Sequence, residues 1–323
     1  MALRPLRRAF AATLIFVAAL DAAAQVFPSK PVRIVIGFPP GGGIDIVARI
    51  LAPRLTEALG QPVLVENRPG ANGVVGMDLV AKAAPDGHTV MLGTLGTFSV
   101  NPSFYPNLPF NAETAFAPLT QLASVAFIVY ANPSLPAKSI GELIAHARAN
   151  PGKINFSSSG NGGLPHLAGE MFGAAAGLSM VHVPYKGSAP SIADVMGGQV
   201  QITFEAAAIG LQHIKSGKLR GLATTSARRL AFAPDIPTVA ETLPGFEVVN
   251  WYGMAVPAGT PREAINRLHA ELVKAMALPD VREKMVAQGT DPVGSTPEAF
   301  GAFVKAESAK WIRVIRQANI KPD

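Results

Sequence analysis

The groups best placed to do chemistry in this sequence lie in two glycine-rich segments. The first is Phe38-Pro39-Pro40-Gly41-Gly42-Gly43-Ile44-Asp45, between a short β-branched run and an amphipathic one. Glycines let a backbone approach a ligand closely, and the first N–H groups of a helix have no partner inside it. With the positive end of the helix dipole they form an anion site. The competing reading is a tight strand-to-helix turn in which Asp45 caps the helix. No Gly-Lys-Ser/Thr follows, so this is not a Walker-type phosphate loop, and consecutive glycines lack the dinucleotide spacing.

The second segment is Ser157-Ser158-Ser159-Gly160-Asn161-Gly162-Gly163, again between a strand-like and a helical stretch. Its hydroxyls and N–H groups offer donors to an anion, or simply make a polar loop with an N-cap serine. Two such loops facing one cleft favour binding over either turn alone. His166, just inside the following helix, either touches a ligand or makes a structural hydrogen bond. Tyr185-Lys186-Gly187 is a further turn with the same two readings, a cleft wall or a solvated turn.

No catalytic or metal constellation accompanies these loops. His88, His146, His166, His182, His213 and His269 never fall in a metal-ligand spacing, and no G-x-S-x-G elbow occurs. There is no cysteine, hence no thiol nucleophile, thiolate site or disulfide. The expectation is therefore a binding protein with no catalytic residue, no metal and no cofactor.

The elements that must hold the loops alternate. Val32–Ile36 reads as a buried strand, 44–59 as a helix ended by Gly60, 62–66 as a strand, 74–84 as a helix and 89–92 as a strand. A second alternating set begins near Val125, with a strand at 127–130 and a capping box at Ser139 to Glu142. A helix at 165–175 and strands at 180–183, 200–204 and 219–223 follow. This order predicts parallel sheets covered on both faces. The apolar stretch 246–256 is long enough to cross between domains. Two closing helices, one from Thr260-Pro261 to about Ala277 and one from Thr296-Pro297, are expected to return to the first domain. The fold class is α/β and two-lobed: residues 25–124 completed by 247–323, then 125–246, each lobe a sheet flanked by helices with a ligand cleft between.

Arg4, Arg7 and Arg8, an apolar run from Ala9 to Leu20 and Ala22-Ala23-Ala24 have the form of a cleaved export signal, residues 1–24, with Gln25 as the mature start. At about 1.5 Å per residue that run covers roughly 18 Å, short of the ~30 Å hydrocarbon core. The formal charge of +6 is mild and dispersed, three of the cations lying in the leader. No basic block interleaved with aromatics is present, which argues against nucleic-acid binding.

Nine segments in chain order carry a family resemblance: Phe38 to Asp45 with Ala48-Arg49, Val65 to Gly73, Pro85 to Gly87, Ser158 to Gly162, His166 to Glu170, Val183 to Gly187, Gly197 to Val200, Asp235 to Glu241 and Pro257 to Pro261. In these the sequence resembles the substrate-binding receptors of tripartite tricarboxylate transporters, the Bug or TctC-like family. The resemblance covers essentially the whole mature chain. It implies a monomeric periplasmic receptor that closes on a small carboxylate ligand and passes it to membrane permease subunits. It assigns binding roles to Phe38, Gly42, Gly43 and Asp45, to Ser158, Gly160 and Asn161, and to Thr94 and Thr97 after the third strand. Two positions depart from the family pattern. Glu205-Ala206 stands where Asp-Asn is common, and Ala115 where an acid is usual. Glu205 is accordingly expected to face the cleft and shape ligand choice. Two other readings stay open on sequence alone, a receptor that presents its ligand to a sensor, and an α/β enzyme using the glycine loop for an anionic substrate.

Overall fold

The computed structural model describes residues 27–317 except Pro106 and Ala231, so the expected leader lies outside the described residues. Strand β1 (Val32–Ile36) runs through the glycine loop into α1 (Gly43–Leu59), followed by β2 (Val63–Asn67), α2 (Val74–Ala81) and β3 (Thr89–Thr94). A π-type turn at Gly96–Val100 continues into the short helix α3 (Asn101–Phe104), and then comes β4 (Phe116–Ala131). The second set is α4 (Ile140–Ala149), β5 (Asn155–Ser158), α5 (Leu164–Ala176), β6 (Val181–Pro184), α6 (Ser188–Met196), β7 (Ile202–Ala206), α7 (Ala207–Lys215) and β8 (Arg220–Thr224). The chain closes with β9 (Val249–Pro257), α8 (Arg262–Ala277), α9 (Pro279–Ala287), β10 (Thr290–Pro292) and α10 (Pro297–Gln317).

The strands order as β2-β1-β3-β9-β4-β7-β5-β6, with β8 and β10 also on β4. Strand β4 belongs to both lobes: it pairs with β9 as far as Ala126 and with β7 from Phe127 onward. The outer strands are parallel as their strand–helix alternation requires, but β9 and β4 are antiparallel to their neighbours. The expected all-parallel sheets are therefore corrected to mixed ones. The reason is the crossings: a strand that enters a lobe from its neighbour runs against the strands native to that lobe.

The second crossing lies beside the first. The Thr225 hydroxyl donates to the Val248 carbonyl at 2.6 Å and accepts from the Phe127 N–H at 3.2 Å. The Thr225 N–H in turn donates to the Phe127 carbonyl, and the Val248 N–H to the Thr225 carbonyl. One fully buried threonine thus ties both chain crossings together.

Other local expectations shift by a few residues. Helix α2 stops at Ala81, and an additional helix, α9, starts at Pro279, where the fixed φ of proline suits a first turn. Ser139 caps α4 by accepting from the Glu142 N–H at 3.2 Å, but Glu142 reaches back to the Lys138 N–H, one residue outside a closed capping box. The main core runs continuously through both lobes, from Ile34, Val47 and Leu51 to Phe156, Phe172 and Phe204. Among the described residues no helix is long and apolar enough to cross a membrane.

Candidate ligand-binding cleft

The first glycine loop is braced from behind. Gly41 sits at φ 85°, a backbone geometry that glycine adopts without strain, and its N–H donates to Asp45 Oδ2 at 3.0 Å. Arg49 donates to both oxygens of Asp45, and Asn67 Nδ2 donates to Oδ1 as well as to the Phe38 carbonyl. Burial works to raise the Asp45 pKa, but the bonds from Arg49, Gly41 and Asn67 outweigh it and hold the carboxyl below its ordinary value. With both oxygens engaged, Asp45 shapes the loop and stands outside the cleft wall. Phe38, Gly42 and Gly43 are in the wall.

The second loop is held in the same way. Ser158 Oγ accepts the Gly160 N–H at 3.2 Å and shares a 2.6 Å hydrogen bond with His182 Nε2. His166 Nδ1 accepts the Gly162 N–H at 3.1 Å, and the His166 and His182 rings stack at 3.8 Å. Burial, then the neighbouring His166, pushes the His182 pKa down to about 3, so His182 is neutral at ordinary pH. Ser158, Gly160, Asn161 and His166 lie outside the wall, and Ser159, Gly163, Leu164 and Pro165 supply it. Tyr185 bonds through its hydroxyl to Asp194, and its neighbours Lys186 and Gly187 line the cleft instead.

Four helix N-termini converge here. The N-caps of α1, α5, α6 and α7 are Gly42, Gly163, Gly187 and Ala206, and none makes a side-chain cap bond. All four lie in the wall. Helices α2, α8 and α9 also lack side-chain caps but start outside the wall, so it is the convergence of four starts that marks the cleft. First-turn N–H groups left without side-chain caps, at the positive ends of four dipoles, give the cavity a potential that favours an anion. The cavity volume is about 90 Å³.

The crossing strands and the loop after β2 complete the wall. Thr94 is part of it, whereas Thr97 backs it: Thr97 Oγ1 accepts the Thr94 N–H at 3.2 Å, and Thr94 Oγ1 accepts the Thr97 N–H at 3.3 Å. Asn250 and Tyr252 project from β9. Sequence reasoning did not single them out, because a crossing strand carries no loop signature. It also passed over Asn72, whose backbone lies at φ 50°, where L-residues are rarely found. The available signals were its place in a segment that carries the family resemblance and in the Gly70-Ala71-Asn72-Gly73 cluster, since asparagine tolerates that region best after glycine. The loop is pressed against the end of β1, where a Cβ on Gly37 would lie 2.5 Å from the Gly73 Cα.

Glu205 is the sole carboxyl in the wall and is 2% exposed. Its Oε2 accepts from the Ser188 hydroxyl at 3.0 Å, and its Oε1 is buried with no partner. Burial, against weaker help from Ser188 and the Ala206 N–H, raises its pKa to about 8.

The lobes are closed on one another. Asn72 Nδ2 donates to the Gly162 carbonyl at 3.1 Å. A Cβ placed on Gly162 would lie 2.5 Å from Phe104, and one on Gly187 would lie 3.3 Å from Pro39. Each of these contacts joins the first lobe to the second.

Comparison with known proteins agrees with this architecture. The profile described as tripartite tricarboxylate transporter family receptor, TctC, matches residues 47–320. Protein BugT of Bordetella pertussis is 36% identical over 313 residues, spanning 95% of this chain and 96% of BugT. The structure of Rpa4515 of R. palustris with adipate superposes with a TM-score of 0.89 at 33% identity, covering 92% of this chain and 100% of the other. MatC from Rhodopseudomonas palustris with bound malate gives 0.83 at 29% identity, covering 90% and 100%.

Proposed function

The chain belongs to the tripartite tricarboxylate transporter receptor family of solute-binding proteins, and from that premise we propose that its cleft captures a small carboxylate, in the periplasm, for delivery to membrane permease subunits. The observation that carries this reading is the convergence of four uncapped helix N-termini on one cavity. Such a site favours an anion through backbone donors and dipoles and needs no arginine clamp. Relatives holding adipate and malate support the same class.

In this reading Phe38, Gly42, Gly43 and Thr94 of the first lobe and Ser159, Gly163 and Ser188 of the second contact the ligand. Asp45, Thr97, Ser158 and His166 fix the geometry of those groups. The ligand is released unchanged. The export signal at residues 1–24 accounts for the compartment.

A thermal-shift screen over short mono-, di- and tricarboxylates, followed by calorimetry, tests the proposal, because a ligand that binds only the native state raises Tm. Adipate and malate are the first probes. A set of carboxylates that all leave Tm unchanged at millimolar concentration, while a neutral or cationic solute raises it, would sink the reading.

A further inference from the structure

Building on the carboxylate reading, we propose that Glu205 sets ligand specificity as a neutral carboxylic acid whose Oε1–H donates to a second acceptor group of the ligand, such as the far carboxylate of a dicarboxylate.

The geometry comes first. Glu205 ends β7 directly beside the start of α7, in the cavity wall and almost wholly removed from solvent. No ion pair reaches it among the described residues, and an ionised carboxylate buried without a cation is strongly disfavoured. Its Oε2 already serves as acceptor for the Ser188 hydroxyl, which leaves the proton to Oε1. Oε1 is the buried atom without a partner. A buried donor with no acceptor is costly, and a ligand oxygen in the cavity removes that cost.

The surrounding groups agree. The Tyr130 phenol on β4 donates to the Ala206 and Ala207 carbonyls beside Glu205, and the Tyr252 phenol on β9 lines the cavity. Burial first, then the negative charge Glu205 would carry, raises both phenol pKa values. From the loop before α6 comes Lys186, exposed and without an ion pair among the described residues. The α1 loop and the start of α5 present no ionisable side chain to the cavity. Neither the phenols nor the exposed ammonium neutralises an ionised Glu205. An ammonium-bearing ligand would meet a different difficulty, since it would face the positive ends of four helices. Because burial raises the Glu205 pKa to about 8, the acid form prevails at neutral pH and binding there requires no proton uptake.

The test is calorimetry with adipate and malate between about pH 6 and 9.5, on the wild type and Glu205→Gln, in two buffers of different ionisation enthalpy. For the wild type, the Kd is expected to stay level to about pH 7.5 and then to weaken by about tenfold per pH unit above pH 8, with proton uptake approaching one. Glu205→Gln keeps a neutral donor, so its affinity is expected to be three- to tenfold weaker at pH 7 and independent of pH. A wild-type Kd that is flat or tightens above pH 8 overturns the role of Glu205 while leaving the carboxylate reading intact. Failure of both diacids and of every other carboxylate to bind the wild type overturns both.

Discussion

The Asn72 side chain donates at once to Asn101 Oδ1, at 2.9 Å within its own lobe, and to the Gly162 carbonyl, at 3.1 Å in the other. Its backbone carbonyl is held by Asn101 Nδ2 at 2.9 Å. The residue therefore presents to the opposite lobe an amide whose position is fixed from two sides. The bond to Gly162 joins the two lobes, so it stabilises the closed form.

Replacing Asn72 tests that relation. Asn72→Gly keeps the left-handed backbone, which alanine would strain, and removes the amide. The loss of one hydrogen bond of about 0.5–1.5 kcal/mol predicts roughly 2- to 13-fold weaker ligand affinity. Calorimetry reads the affinity, and small-angle scattering reads a larger radius at subsaturating ligand. Unchanged affinity with an unchanged radius would show that the bond does not govern closure.

Gly43→Pro removes one first-turn N–H of α1 while fitting a first helical position, where proline is well tolerated. If that N–H binds the anion, affinity falls by roughly 10- to 150-fold, the equivalent of about 1.5–3 kcal/mol for a bond to a charged group. Circular dichroism confirms the fold. A folded variant with wild-type affinity would move the anion site away from α1.

Glu205 also predicts a pH dependence of stability. Its pKa rises from 4.5 to about 8 on folding, so between these values the folded chain holds a proton that the unfolded chain has released. Stability from this group is complete below pH 4.5, declines through the window and is lost above about pH 8. Urea midpoints of Glu205→Gln should therefore gain on the wild type as pH rises, at up to about 1.4 kcal/mol per unit. Parallel profiles for the two proteins would show that Glu205 titrates normally.

Thr225→Val preserves shape and deletes the hydroxyl that links Phe127 to Val248. Leaving these buried groups without it should cost about 1–3 kcal/mol, read from a denaturant midpoint. A shift within about 0.5 kcal/mol of zero, the level of an ordinary surface substitution, would mean that the crossings are held by the β4–β9 pairing alone.

What the sequence made visible follows from what each feature needs. Both glycine loops stood out because backbone approach to a ligand requires glycine, and α1 and α5 start within a residue of where their patterns place them. Glu205 stood out as a departure in type. The site was less legible at single-residue resolution. Ser158 and Ser159 are adjacent, and only the fold shows that Ser158 turns back to His182 while Ser159 faces the cavity. Tyr185 and Lys186 divide in the same way. The full span of β4 was hidden because its first part, interrupted by Pro118, carries no clean alternation. Its register to β9 also shifts twice there. Asn72 was hidden because a positive φ on a non-glycine residue leaves no trace in residue type beyond a weak bias.

The path of β4 bears on how the chain folds. One continuous strand is the neighbour of β9 in one sheet and of β7 and β8 in the other. Neither sheet is complete until that strand is in place, and its partners come from distant parts of the sequence. Expressing either lobe alone would expose the unpaired edges of β9 or β7, the kind of edge that seeds aggregation. Long-range pairing of this kind also makes for slow assembly, because loop closure precedes the contacts that reward it. The two lobes are therefore expected to melt as one unit, in a single calorimetric transition.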